Sequence, residues 1–142
     1  MRIFLGAPFS DHLKGNKFDR EMRNTIETII FSLKEKGHDV RSAHVREKFG
    51  EQLMTPDVCT PLDFEEVKNC DLFIAIPSNP PSGGVHIELG WASAINKNIL
   101  LCVHKTGKYS PLVHGLDKVG NSKKIVFEDY PDLVEKINAY FV

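Results

Sequence analysis

The sequence predicts an α/β three-layer sandwich on a parallel sheet, and two observations predict it. Short apolar runs rich in Ile, Val, Leu and Phe alternate along the chain with helical segments. Those runs are continuously apolar instead of alternating with polar residues, as in strands covered on both faces. Right-handed crossovers then place helices on both sides of the sheet.

Element by element, "RIFLGA" (2–7) forms the first strand. "FDREMRNTIETIIFSLKEKG" (18–37) places Met22, Ile26, Ile29, Ile30 and Leu33 on one helical face, with Gly37 where the helix would end. "DVRSAH" (39–44) is a weaker second strand. "TPLDFEEVKNC" (60–70) predicts a helix with Thr60 as N-cap, Pro61 at the first helical position and Asp63 in the first turn. The strand "DLFIAIP" (71–77) and the helix "VHIELGWASAIN" (85–96) follow, then the strands "NILLCVH" (98–104) and "KKIVF" (123–127). Residues 105–122 read as a long loop or a short helical turn, and "PDLVEKINAYFV" (131–142) is the last helix. The outcome is a flavodoxin/Rossmann-like fold with a five-stranded parallel sheet, in a single domain over residues 1–142.

Composition narrows the function classes. A net charge of −1 with 26% charged residues gives no footprint for nucleic acid or for a membrane surface. No apolar stretch approaches the roughly 20 residues of a membrane span, and the N-terminus has no signal-peptide pattern. Cys59, Cys70 and Cys102 have neither CxxC nor His-linked spacing, so reduced thiols in the cytoplasm are expected.

Ligands of such sheets bind beyond the carboxyl ends of the strands. The segments there are "GAPFS" (6–10), "HVREKFG" (44–50), "PSNPPSGGVH" (77–86) and "HKTGKYS" (104–110). Glu88 is the strongest chemical signal, because its helical face-mates Trp91, Ala92 and Ile95 are all apolar. A carboxylate on that face is costly to bury, and a place in the first turn of the helix, near its N-terminus, offsets some of that cost. Ionised and poorly solvated, it would be a nucleophile or general base; otherwise it caps backbone N–H groups. The turn Pro80-Pro81-Ser82-Gly83-Gly84 opens the same helix, and its backbone N–H groups suit a phosphate or simply a tight turn. Asp63 is a second carboxylate, suited to glycosidic chemistry or to the helix dipole alone. His44 follows the second strand, either to meet a ligand or as a structural histidine. His86 points elsewhere on its helix, and no third ligand is spaced for a metal.

Taken in order, "IFLGAPF", "SAHVREKFG", "PLDFEEVKNCDLFIAIP", "SGGVHIELGWASAINK" and "YSPLVHGL" resemble the nucleoside 2-deoxyribosyltransferase superfamily. Within it the chain is most similar to the nucleoside 5′-monophosphate N-glycosidase branch, the CMP/hydroxymethyl-CMP hydrolases. The resemblance implies that Glu88 attacks C1′ to form a glycosyl-enzyme intermediate, and that Asp63 orients it and assists proton transfer to the departing base. It implies a substrate site of Phe4, Gly6, Ala7, Pro8 and Phe9, with His44 lining the base and sugar pocket. Ser82, Gly83 and Gly84 would cradle the 5′-phosphate, and Ser110 would reach it from a neighbouring subunit of a homodimer. Phe4 stands where many members carry Tyr, which implies ribonucleotides. Ser10 stands where related hydrolases carry a phosphate-binding Arg, leaving Lys14 or Lys17 as substitutes. No metal or organic cofactor is implied. The alternatives are a 2′-deoxynucleoside 5′-monophosphate N-hydrolase, a nucleoside 2-deoxyribosyltransferase and a non-catalytic nucleotide-binding domain.

Overall fold

The structure is a computed structural model that describes residues 1–15, 17–78 and 83–142. In chain order its elements are β1 (Arg2–Gly6), β2 (Leu13–Lys14), β3 (Lys17–Phe18), α1 (Arg20–Glu35), β4 (Asp39–Arg41), α2 (Ala43–Arg46), α3 (Pro56–Asn69), β5 (Leu72–Ala75), α4 (Gly83–Ala94), β6 (Asn98–His104), α5 (Pro111–His114), β7 (Asn121–Phe127) and α6 (Tyr130–Tyr140). Five strands form one parallel sheet in the order β4-β1-β5-β6-β7, as expected. Phe4 pairs with Phe73 and Phe73 with Ile99, which fixes the register across the centre. The order reverses direction between β1 and β5, so the ligand crevice of this topology opens at their carboxyl ends.

Each central strand is buried on both faces, and that is why its run is continuously apolar. Ile3, Leu5, Ile74 and Leu100 point to one side, against Ile26, Ile29 and Leu33 of α1 and Leu133 and Ile137 of α6. Phe4, Phe73, Ile99 and Leu101 point to the other, against Val67 of α3 and Leu89 and Ala92 of α4. Burying each such side chain contributes roughly 1.5–3 kcal/mol. Helix α1 begins where Asp19 accepts the Met22 N–H at 3.0 Å, and the chain leaves it through Gly37 at φ +85°. The sheet's edges are the three-residue β4, whose two ends are Asp39 and Arg41, and β7, which carries Lys123 and Lys124. No helix among the described residues is long and apolar enough to cross a membrane.

Four local readings of the sequence are corrected. The second strand stops at Arg41, because the Ser42 hydroxyl accepts the Val45 N–H and starts α2, so His44 lies on a helix. Helix α3 starts at Pro56 and not at Thr60; Pro61 is inside it, and Asp63 lies in its middle. Helix α4 starts at Gly83, which puts Glu88 in the second turn, beyond most of the dipole's reach. The hairpin β2–β3 is unforeseen, having two residues per strand and Gly15 at φ +63° between them. Of the loop or short helical turn that residues 105–122 left open, the structure has short helical turns at Pro111–His114 and Leu116–Lys118, and β7 begins two residues early, at Asn121.

Candidate active site

A cleft of about 330 Å³ opens at the carboxyl ends of β1 and β5. Its floor is the end of β1, Phe4 to Ala7, and one wall is the start of α4 with Gly83, Gly84 and Glu88. Asp63 enters from α3, and Ala43, His44 and Glu47 from α2 and the residue after it. Phe9, Ser10, Leu53, Met54 and Cys59 complete the rim.

Glu88 and Asp63 therefore face one space. Glu88 Oε2 is shielded from solvent and has no hydrogen-bond partner among the described residues. The absent Cβ of Gly6 makes that position available, since a methyl group there would lie 3.0 Å from Glu88 Oε2. Burial pushes the Glu88 carboxyl up to about 8; the Asp63 charge adds to the rise and Arg46 opposes it. Burial thus favours the neutral carboxyl at neutral pH, where an ionised carboxylate was expected. Burial also raises Asp63, against the hydrogen bond and charge of Arg46, whose Nη2 donates to Asp63 Oδ1 at 2.8 Å. Two raised, coupled carboxyls facing one space suit a division of labour in which one attacks while the other manages the proton.

His44 is 1% exposed, and its Nε2–H donates to the Pro8 carbonyl at 3.0 Å. That bond fixes the tautomer and leaves Nδ1 as a buried acceptor with no partner among the described residues. Burial is the main cause that lowers its pKa to about 4, so the ring is neutral. Phe9 stacks on it at 4.8 Å. Beneath lies Phe49, held there by a turn in which Lys48, Phe49 and Gly50 all take positive φ.

Of the residues singled out in the sequence, Phe4, Gly6, Ala7, Phe9, His44, Asp63, Gly83, Gly84 and Glu88 line this cleft. Pro8 instead faces a neighbouring cavity beside His12 and Tyr109, and meets the cleft only through His44. Ser110 caps α5 and lies on a separate apolar groove with Leu89 and Leu112, outside its own chain's cleft. Ser82 lies outside the described residues. Lys14 and Lys17 are exposed on the hairpin and do not line the cleft, and among its described lining residues none is Lys or Arg. Sequence reasoning missed Arg46 and Glu47. Their one signal was the charged stretch "HVREKFG", which reads equally as a solvated surface.

Two solved structures are similar to the chain over nearly its whole length. The CMP N-glycosidase BcmB of Clostridium botulinum is 36% identical, with 99% of this chain and 100% of that chain covered and a TM-score of 0.76. BlsM, solved in solution, is 35% identical, with 96% and 86% covered and a TM-score of 0.82. A conserved protein of Enterococcus faecalis V583, at 17% identity and a TM-score of 0.70 over 98% of each chain, shares the fold alone. No family model and no curated protein matches.

Proposed function

Because the chain belongs to the nucleoside 5′-monophosphate N-glycosidase branch of the nucleoside 2-deoxyribosyltransferase superfamily, we propose that it hydrolyses the N-glycosidic bond of a pyrimidine nucleoside 5′-monophosphate, CMP or 5-hydroxymethyl-CMP. The products are the free base and ribose 5-phosphate. The observation that carries this reading is the placement of Glu88 and Asp63 on one cleft, with Glu88 Oε2 desolvated and without a hydrogen-bond partner among the described residues.

In the reaction Glu88 passes its proton to Asp63 and attacks C1′. A Glu88–C1′ ester forms as the C1′–N bond breaks, and the bond's electron pair leaves with the base. Asp63 gives the proton to that base. Water, deprotonated by Asp63, then attacks C1′ and releases the sugar phosphate from Glu88. The amide groups at the start of α4, Gly83 and Gly84, are the natural seat of the 5′-phosphate. Phe4 brings no hydroxyl to the floor beside Glu88, which leaves room for a ribose 2′-OH and favours ribonucleotides. A homodimer belongs to the proposal, with Ser110 of the partner subunit completing the phosphate site; in support, Ser110 sits on an apolar groove whose Leu112 is 82% exposed. The free thiols Cys59, Cys70 and Cys102 suit a reducing cytoplasm.

The test is incubation with CMP, 5-hydroxymethyl-CMP, dCMP, UMP and cytidine, followed by chromatography for released base. Release from CMP or its hydroxymethyl derivative supports the reading. Faster release from dCMP makes the enzyme a deoxynucleotide hydrolase, and base exchange exceeding hydrolysis with added free base makes it a transferase. Release from none, with the nucleotide still bound, leaves a binding domain. Glu88→Ala must abolish turnover while the fold survives.

A further inference from the structure

We propose that Arg46 is a positioning residue for this reaction, resting on the function proposed above: its guanidinium holds the Asp63 carboxylate from outside the cleft and sets a positive charge behind the Asp63–Glu88 pair. Arg46 ends α2, and its Nη2 makes the 2.8 Å charge-assisted bond to Asp63 Oδ1. The same nitrogen lies 3.7 Å from Glu47 Oε2. Glu47, 7% exposed, accepts the Met54 N–H on its other oxygen at 2.8 Å. Arg46 thereby ties α3 to the segment whose Leu53 and Met54 form the cleft's rim.

Arg46 does not line the cleft. It lines a separate pocket of about 310 Å³ on the outer side, together with Arg41 and Glu66. Its guanidinium is bonded to Asp63 and is not part of the cleft's described lining, so its action runs through Asp63. The other charges around it are Glu47 beside it, Asp63 and Glu66 on α3, Glu88 on α4, Asp39 and Arg41 on β4, and the neutral His44. Arg41 is engaged by Asp39 at 3.2 Å, and Glu66 by Arg2 at 3.1 Å. Glu47, Asp63 and Glu88 are left to share Arg46.

The test uses the full chain with Arg46→Met and Arg46→Lys, following release of base from CMP across the pH range. Arg46→Met is expected to keep KM within about twofold while kcat falls about 10–100-fold through loss of alignment. Removing a cation beside two coupled carboxyls raises both of their apparent pKa values, so the whole pH profile moves up by about one unit. Arg46→Lys keeps the charge without the planar fork, so its profile stays in place and part of kcat returns. A profile for Arg46→Met that superimposes on the wild type, or a loss carried by KM, overturns the proposal. Arg46→Gln runs the same test should Arg46→Met not fold. Carbon-13 NMR titration of the two carboxyls separates this proposal from the function itself. Both midpoints must rise in the variant even if the wild type releases no base, and unmoved midpoints overturn it.

Discussion

Gly6 and Glu88 share a boundary on which the site depends. A Cβ on residue 6 would lie 3.0 Å from Glu88 Oε2 and 2.8 Å from Phe73 Cε2. Phe73 is stacked on Phe4 at 5.6 Å inside the core and has little freedom to withdraw. Gly6→Ala is therefore expected to displace the carboxylate, lowering kcat about 10–100-fold. It should also destabilise the fold by about 1–3 kcal/mol through overpacking. Single-turnover kinetics and thermal unfolding of the same preparation check both effects.

The pH profile of kcat/KM should be bell-shaped and fall above about pH 8. The sign follows from the raised Glu88 carboxyl, pushed up to about 8 chiefly by burial. Below that pH the pair retains the proton that the leaving base needs; above it the proton is lost. On the acid side activity falls when Asp63 also protonates, at a pH raised above its ordinary value by burial. Initial rates at subsaturating CMP check this, and a profile still rising at pH 9 would contradict it.

Glu88 costs stability where it is ionised in the unfolded chain alone. Its folded pKa lies near 8 against 4.5 unfolded, so the stability it contributes is complete below 4.5 and lost as pH rises to 8. Glu88→Gln is uncharged throughout and escapes that loss. The variant should match the wild type near pH 4 and exceed it by on the order of 2–4 kcal/mol at pH 9. Urea denaturation at the two pH values reads the difference.

His44 works in the opposite direction. Its folded pKa is lowered to about 4 from 6.5, so the neutral ring's stabilisation is present above 6.5 and lost as pH falls towards 4. Wild-type protein should lose about 3 kcal/mol across that window from this residue. His44→Gln keeps a donor for the Pro8 carbonyl without the basic ring, and should show a flatter stability curve between pH 6.5 and 4.

The parts of the fold legible in the sequence were those with the strongest local patterns. "NILLCVH" coincides with β6, and the apolar face from Met22 to Leu33 with the buried side of α1. The start of α3 was hidden because the segment carries two helix-start signatures, Thr55-Pro56 and Thr60-Pro61. Pro61 is tolerated inside because it and Asp57, whose carbonyl loses its usual helical donor, are both exposed, which leaves that acceptor open to solvent. The carboxylates of the site stood out as charges on apolar or helix-start patterns. Arg46 did not, because its partner Asp63 is 17 residues away and no local pattern records such a contact.

The edges of the sheet bear on how copies of this chain can meet. At one side β4 offers three residues, two of them the charged Asp39 and Arg41, and at the other Lys124 of β7 reaches the His114 carbonyl at 3.0 Å beside Lys123. A very short charged border and a lysine-bearing one are poor templates for an incoming strand. Both borders thereby resist open-ended cross-β stacking of one copy on the next. Concentrated solutions should accordingly stay free of thioflavin-positive fibres.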